Sequence, residues 1–242
     1  MVKENRAEQE IQRIHEEYAR RAEDGLLAKK YTADNPVNEY IITQRHQVLA
    51  EMQRKHLPGG LFDLSILEVG CGTGGVLREL EQLGANPAKL FGLDLLQDRL
   101  VDARKRMEAS SFVCGNGQFL PFFDASFDIV LQFTAFSSVL DRDMKTQMGS
   151  EMLRVLKPGG TVIWYDFVWN PTNRQTKGIP IAEVSGLFPG CEVYPSRITL
   201  APPLAKLFLP KYRVMADWLT SLKVFNSHLL VFIQKPNKTP DF

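Results

Sequence analysis

The ten residues ILEVGCGTGG, Ile66 to Gly75, place a short apolar run and a glutamate directly ahead of four glycines. A strand that stops in a glycine turn and re-enters as a helix lets backbone N–H groups approach a cofactor closely, because glycine lacks a Cβ and tolerates positive φ. Two spacings overlap here. Gly70, Gly72 and Gly75 spell GxGxxG, the dinucleotide turn, whereas Gly70, Gly72 and Gly74, with Glu68 two places ahead, spell ExGxGxG. Both need the same strand, turn and helix, so the glycines do not choose between them.

Working outward, apolar runs alternate with helical patterns. Strands are expected at SILEVG, KLFGLDL, SFVCGN, FDIVLQF and TVIWYDF, and helices over Val76–Leu83, Leu96–Met107 and Met144–Leu156, the last closed by KPGG. Such alternation with short connections predicts a mostly parallel α/β sheet covered on both faces. After Phe167 come a loop-rich stretch, VWNPTNRQTKGIPIAEVSGLFPG, a strand CEVYPSRITLA, a helical region from about Leu204 to Leu222 and a last strand HLLVFIQK. Ahead of the core, Ile11, Ile14, Tyr18, Ala22 and Leu26 recur at helical spacing between about Glu4 and Lys30. A second helix starts at an Asn35 cap and Pro36, carries Tyr40, Ile41, Val48, Leu49 and Met52, and ends at LPGG. The predicted organisation is an N-terminal helical cap over 1–58 and a core over 59–242, with a substrate loop or lid at about 168–210.

Composition excludes several classes. In 242 residues, 29 Lys and Arg balance 28 Asp and Glu, so no global positive field favours a nucleic-acid partner. Cys71, Cys114 and Cys191 form no CxxC and the four histidines make no metal spacing, so no metal site is expected. No apolar run approaches the ~20 residues of a membrane span, and the polar start MVKENRAEQE has no signal-peptide core; the expectation is a cytoplasmic protein without stable membrane insertion.

Asp94 ends the second strand roughly twenty residues past the glycine turn, where a carboxylate can accept from both ribose hydroxyls. NAD and S-adenosylmethionine share that ribose, so Asp94 argues only against NADP. A dinucleotide enzyme needs a second mononucleotide half, which is not visible, and the absence of GKS or GKT removes a P-loop. Three stretches decide. ExGxGxG at Glu68, GNGQFLPFFDASFDIVLQ from Gly115 and EMLRVLKPGGTVIWYDF from Glu151 together resemble the class I S-adenosylmethionine-dependent methyltransferases. YTADNPVNEYIITQRH, LQFTAFSSVLD, WYDFVWNPTNRQTKGI and RITLAPPLAKL further resemble a bacterial subgroup acting on small molecules, often in polysaccharide or natural-product pathways.

The resemblance implies a Rossmann-like seven-stranded sheet of order 3-2-1-4-5-7-6 with the last strand antiparallel. It implies that Glu68 orients the turn and the cofactor's amino-acid end, and that Gly70, Cys71, Gly72 and Gly74 wrap the methionine portion. Asp94 and Leu95 would hold the ribose and flank the adenine. Asn116 stands where the family has an aspartate that accepts the adenine amino group, and it still accepts through its carbonyl oxygen; Gly117 and Gln118 would present backbone at the adenine edge. Gln132 would position the methyl-bearing centre, or else satisfy buried backbone groups. Candidate bases are Asp166, Tyr165, His46 and His228; candidate acceptor contacts are Asn170, Arg174, Tyr31 and, again, His46. Tyr18, Tyr40 and Arg45 close over the cofactor or simply pack.

The expected activity is methyl transfer from S-adenosylmethionine to N or O of a small metabolite, releasing S-adenosylhomocysteine, by a monomer or homodimer. The alternatives are a macromolecular methyltransferase, a non-enzymatic cofactor-binding scaffold, and an enzyme at the membrane surface acting on a lipid-linked glycan. The last rests on LAKLFLPKYRVMADWL, which mixes Leu207, Phe208 and Leu209 with Lys206, Lys211 and Arg213. Packing of that stretch on the sheet or on a second subunit is the competing expectation.

Overall fold

The computed structural model describes residues 2–24, 36–57, 59–169, 173–209 and 211–237. Its centre is β1 (Ile66–Val69), buried at every position, which pairs in parallel with β2 (Leu90–Asp94) on one side and β4 (Phe127–Phe133) on the other. A four-residue run without a polar exposed face is what a strand covered on both sides requires. With β3 (Ser111–Cys114), β5 (Leu156–Phe167), β6 (Glu192–Leu200) and β7 (Asn226–Gln234) the sheet has the order β3-β2-β1-β4-β5-β7-β6, and β7 runs antiparallel to both neighbours. The expected order and the reversed last strand are both observed. The chain fills one side of β1 and then the other, so a crevice opens at the carboxyl ends of β1 and β4.

The period of two along β1 sorts the core. Leu67 and Val69 face Met148 and Met152 of α5 (Arg142–Val155) and Val184 of α6 (Ile181–Leu187). Ile66 faces Leu49 of α2 (Pro36–His56), Leu77 of α3 (Gly75–Gln82) and Leu100 of α4 (Gln97–Arg106). Glu68 shares the face of Ile66, which sets its neighbours.

Four departures from expectation have physical causes. Helix α5 starts at Arg142, because the Asp141 carboxylate caps it by accepting from Met144 N at 2.7 Å. Lys157 to Gly160 is not a loop closing that helix but the irregular first part of β5, where the register with β4 shifts between Phe127 and Ile129. Helix α6 lies inside the stretch expected as loop, with Val184 and Leu187 buried. The single C-terminal helical region is two helices, α7 (Pro202–Phe208) and α8 (Arg213–Ser221). Within 168–210, α6, β6 and α7 are therefore packed elements, while Lys177 N and Ile179 N tie the remaining loop to Ser137 O (2.8 Å) and Phe167 O (2.7 Å).

The two N-terminal helices have separate tasks. Helix α1 (Val2–Glu23) crosses the crevice: Arg13 donates to Ser138 O at 2.5 Å and to Gln175 Oε1 at 2.9 Å, and Glu10 Oε1 accepts from Leu140 N and Asp141 N. The expected Leu26–Lys30 end of this helix and its Asn35 neighbour lie outside the described residues. Helix α2 instead packs Val37 and Tyr40 against Leu200, Ala205, Ala216 and Leu219 at the β6 edge.

Burial works to raise the Glu10 pKa, but Arg13 and the two N–H donors together hold it below the usual carboxylate range. A depressed carboxylate supplies stability that is present above its unfolded value and lost as pH falls through its folded value. Glu10→Ala is expected to lower the opening free energy at Leu140 and Asp141 by about 1.5–3 kcal/mol, read by amide hydrogen exchange, with protection in β1 and β4 unchanged.

Candidate functional site

At the end of β1, Gly70 N and Cys71 N both donate to Leu93 O, at 2.7 and 3.0 Å, so the last turn of β2 holds the glycine loop in place. Gly70, Gly72 and Gly74 have φ of +78°, +54° and +75°, whereas Gly75 lies outside the left-handed region and a Cβ there would meet nothing within 4 Å. A Cβ on Gly70 would sit 2.5 Å from the Ala135 Cβ. Backbone physics thus selects the ExGxGxG spacing, and Gly75 is simply the first residue of α3.

The turn borders a cavity of about 420 Å³, within the range of small-molecule sites. Gly70, Cys71, Asp94, Leu95, Asn116 and Gly117 line it, as expected; Gly72 and Gly74 shape the turn without lining it. Asp94 Oδ2 accepts from Gly72 N at 2.7 Å and Oδ1 from Leu96 N at 2.9 Å, and each oxygen retains a further acceptor site. Asn116 Oδ1 accepts from Gln118 N at 2.9 Å; Gln118 turns its side chain to Asn116 and does not reach the cavity. Burial pushes the Cys71 thiol up, so it is an inert wall.

Glu68 lines the same cavity at 2% exposure, and its Oε2 has no hydrogen-bond partner. Burial pushes its pKa up to about 8, with Glu79 and Asp94 adding to the effect and Arg45 and Arg99 opposing it. Arg45 also lines the cavity, held by Glu79 and lying 5.5 Å from the Phe133 ring centroid and 5.6 Å from that of Tyr165. From α1, Ile11, Ile14 and Tyr18 close the top, and the Tyr18 ring packs against the guanidinium groups of Arg21 and Arg99 at 4.9 and 5.2 Å. Sequence reasoning missed Arg99, Thr134, Met144 and Met148 on this wall. Arg99 alone had a signal, its place five residues after Asp94 on the first turn of α4.

None of the expected catalytic residues lines the cavity. Gln132 is fully buried, donating to Tyr165 O at 3.3 Å and accepting from Ala135 N at 3.0 Å and Phe136 N at 3.4 Å. Asp166 accepts from Ser137 N at 3.0 Å and Phe167 N at 2.8 Å; burial pushes its pKa to about 6 against those hydrogen bonds. Both residues brace the 134–137 loop, in which Thr134 takes φ +59° and itself faces the cavity. The Tyr165 hydroxyl is 2.9 Å from Thr199 Oγ1, and its ring stacks on Phe133 and His228; burial pushes the phenol to about 12 and the imidazole down to about 3. His228 and Tyr165 are therefore a neutral, sealed stack at pH 7.

The acceptor-side residues are scattered. His46 Nε2 lies 3.1 Å from Glu79 Oε2, away from the cavity, and Arg174 is exposed and does not line it. Tyr40 donates to Asp217 at 2.7 Å on the far side of α2. Tyr31 and Asn170 lie outside the described residues. Among the described residues no group of three or more His, Cys, Asp or Glu is placed to hold a metal ion.

Two outcomes follow for the turn and its carboxylate. Gly74→Ala is expected to destabilise by about 1–2 kcal/mol and Gly75→Ala to be neutral or stabilising, read from urea midpoints. A raised acid pKa means that the folded state keeps a proton the unfolded chain has lost, so ligand-free stability falls as pH rises from 4.5 to about 8. Glu68→Gln should flatten that slope, by up to about 1.4 kcal/mol per pH unit, in melts recorded across this window.

Comparison with known proteins agrees with this geometry. Residues 66–160 match the model of a family described as a methyltransferase domain. Over 132 residues the chain is 32% identical to a demethylmenaquinone methyltransferase of Lactococcus lactis, covering 52% of this chain and 51% of that protein. Over 134 residues it is 36% identical to a phthiotriol/phenolphthiotriol dimycocerosates methyltransferase of Mycobacterium ulcerans, covering 50% and 45%. The chain thus spans about half the length of these relatives. An S-adenosylmethionine-dependent methyltransferase structure from Mesorhizobium loti aligns with TM-score 0.57 at 18% identity, over 76% of this chain and 96% of that one. Residues 66–160 thus carry a methyltransferase domain, and the sheet order and the ExGxGxG turn give the chain the fold of the S-adenosylmethionine-dependent methyltransferases.

Proposed function

We propose that this chain transfers a methyl group from S-adenosylmethionine to an N or O of a small acceptor, releasing S-adenosylhomocysteine. The observation that carries this reading is the orphaned Glu68 Oε2 on the wall of a cavity that Asp94 and Asn116 also line. An ammonium donor would satisfy the buried oxygen, a ribose diol fits the free acceptor sites of Asp94, and Leu95, Met148 and Asn116 on the same wall offer apolar and amide contacts to a flat ring. When bound, the cofactor supplies a methyl group already activated on a sulfonium.

The residues on the wall bind, orient and exclude water. Helix α1 covers the cavity, and Ile11, Ile14, Met144 and Met148 keep it apolar. With Asp166, Tyr165 and His228 all committed elsewhere, the chemistry rests on alignment and desolvation, and the acceptor brings its own lone pair. Glu68 must ionise to hold an ammonium, so cofactor affinity rises with pH up to about 8.

The near-balanced charge favours a small acceptor over nucleic acid, and the three free cysteines suit a reducing cytoplasm. We take the working unit to be a monomer or homodimer. No described helix is long and apolar enough to cross a membrane. A second reading, an acceptor carried by lipid, is favoured by the outer face of α7 and α8 and by the lipid named for the Mycobacterium relative.

At about a hundredfold excess over its Kd, S-adenosylhomocysteine is expected to raise the Tm by roughly 5–10 °C, while NADH leaves it unchanged. Stabilisation by NADH instead would overturn the cofactor assignment. Asp94→Asn, which keeps the side chain's size, should weaken cofactor binding at least tenfold by isothermal titration; an unchanged affinity would remove Asp94 from the ribose site.

A further inference from the structure

Between β6 and β7 the outer face of α7 and α8 carries large apolar side chains that the fold leaves in solvent. Val214 is 83% exposed, Leu207 68%, Tyr212 62% and Trp218 56%. In α8, Val214, Met215 and Trp218, with Leu222 just past its end, form one stripe at helical spacing, and Ala216 and Leu219 form a second, about a third of a turn round the helix. Only the second stripe packs, against Val37, Tyr40 and Leu200. A surface helix needs one apolar stripe, and α8 has two.

The charges around the first stripe have one sign. Residues 202–225 contain Lys206, Lys211, Arg213 and Lys223, all exposed, and a single acid, Asp217, which Tyr40 engages from α2. The chain as a whole is nearly neutral, so this excess is local. A twofold contact of the face with itself would set these cations against their own copies. An anionic surface that also accepts apolar and aromatic side chains fits both properties at once.

We propose that the α7–α8 face docks on the surface of an anionic phospholipid bilayer. Val214, Met215, Trp218 and Leu222 enter the boundary between headgroups and acyl chains, Tyr212 keeps its hydroxyl at headgroup level, and the four cations meet lipid phosphates. The face is joined to the cavity through α2. Tyr40 and Gln44 reach Thr220 of α8 at 3.1 and 3.0 Å, and the next residue, Arg45, lines the cavity. Docking therefore holds the α2 wall of the cavity near the bilayer, which supplies a lipid-borne acceptor; only this consequence rests on the methyl-transfer reading.

The test is cosedimentation of the full chain with phosphatidylcholine vesicles with and without phosphatidylglycerol. It is run in a Trp169→Phe background, so that Trp218 is the one exposed tryptophan, Trp164 being fully buried. Expected are binding to the anionic vesicles only, a blue shift of Trp218 emission, and weakening by high salt. Each of Lys206→Gln, Lys211→Gln, Arg213→Gln and Lys223→Gln should weaken partitioning about fivefold. Val214→Ser with Trp218→Ser should abolish partitioning at unchanged Tm. Absence of binding, equal binding to both vesicles, or an unshifted Trp218 would overturn the proposal. So would a solution dimer that Val214→Ser dissociates, because that assigns the face to a second copy. The assay contains neither cofactor nor acceptor, so its failure is distinguishable from failure of the methyl-transfer reading.

Discussion

The carboxylate of Asp94 holds the site together. By accepting from Gly72 N and Leu96 N it joins the turn after β1 to the start of the helix after β2, two segments with no covalent reason to keep a fixed distance. Leu93 O, one residue earlier, takes the two preceding N–H groups of the same turn. The end of β2 thus acts as a template on which the glycine loop is laid. The cavity exists because both loops are stopped where they are, and the packing of Gly70 on Ala135 brings the exit of β4 into the same rigid corner.

The strands and most helices were legible because their patterns are local. Period two in β1 and β4 and the glycines at 70, 72 and 74 are fixed by backbone sterics that act over a few residues. Gln132 and Asp166 were ambiguous for the opposite reason. Both sit at the carboxyl ends of parallel strands, where ligands gather, but whether a side chain there points at a ligand or at backbone depends on the path of the next loop. Here Ala135, Phe136 and Ser137 turn their N–H groups back toward the sheet and consume both side chains. Helix α6 was hidden because proline and glycine flank its short apolar stripe. For α1 the periodicity revealed a helix and a stripe, while the partner of that stripe was set by Arg13 and Glu10 finding the 138–141 backbone, more than a hundred residues away.

Two polar groups of opposite character lie on one face of the sheet. The Tyr165 hydroxyl pairs with Thr199, His228 stacks on the Tyr165 ring and pairs its Nδ1 with Ser227, and Tyr165, His228 and Thr199 are closed to solvent, which makes them structural. Glu68, Glu79 and Arg45 form the incomplete group, because Arg45 pairs with Glu79 and leaves one Glu68 oxygen without a donor. An unpaired buried carboxylate is costly, and it persists where a ligand completes it.

The protonation of Glu68 also changes what the composition says about the molecule. The formal net charge of +1 counts this glutamate as an anion. With its carboxyl held largely neutral at pH 7, the ligand-free protein carries one positive charge more than its residues suggest. Capture of a cation at that oxygen expels a proton to the buffer, so the heat of binding must vary with the ionisation enthalpy of the buffer chosen.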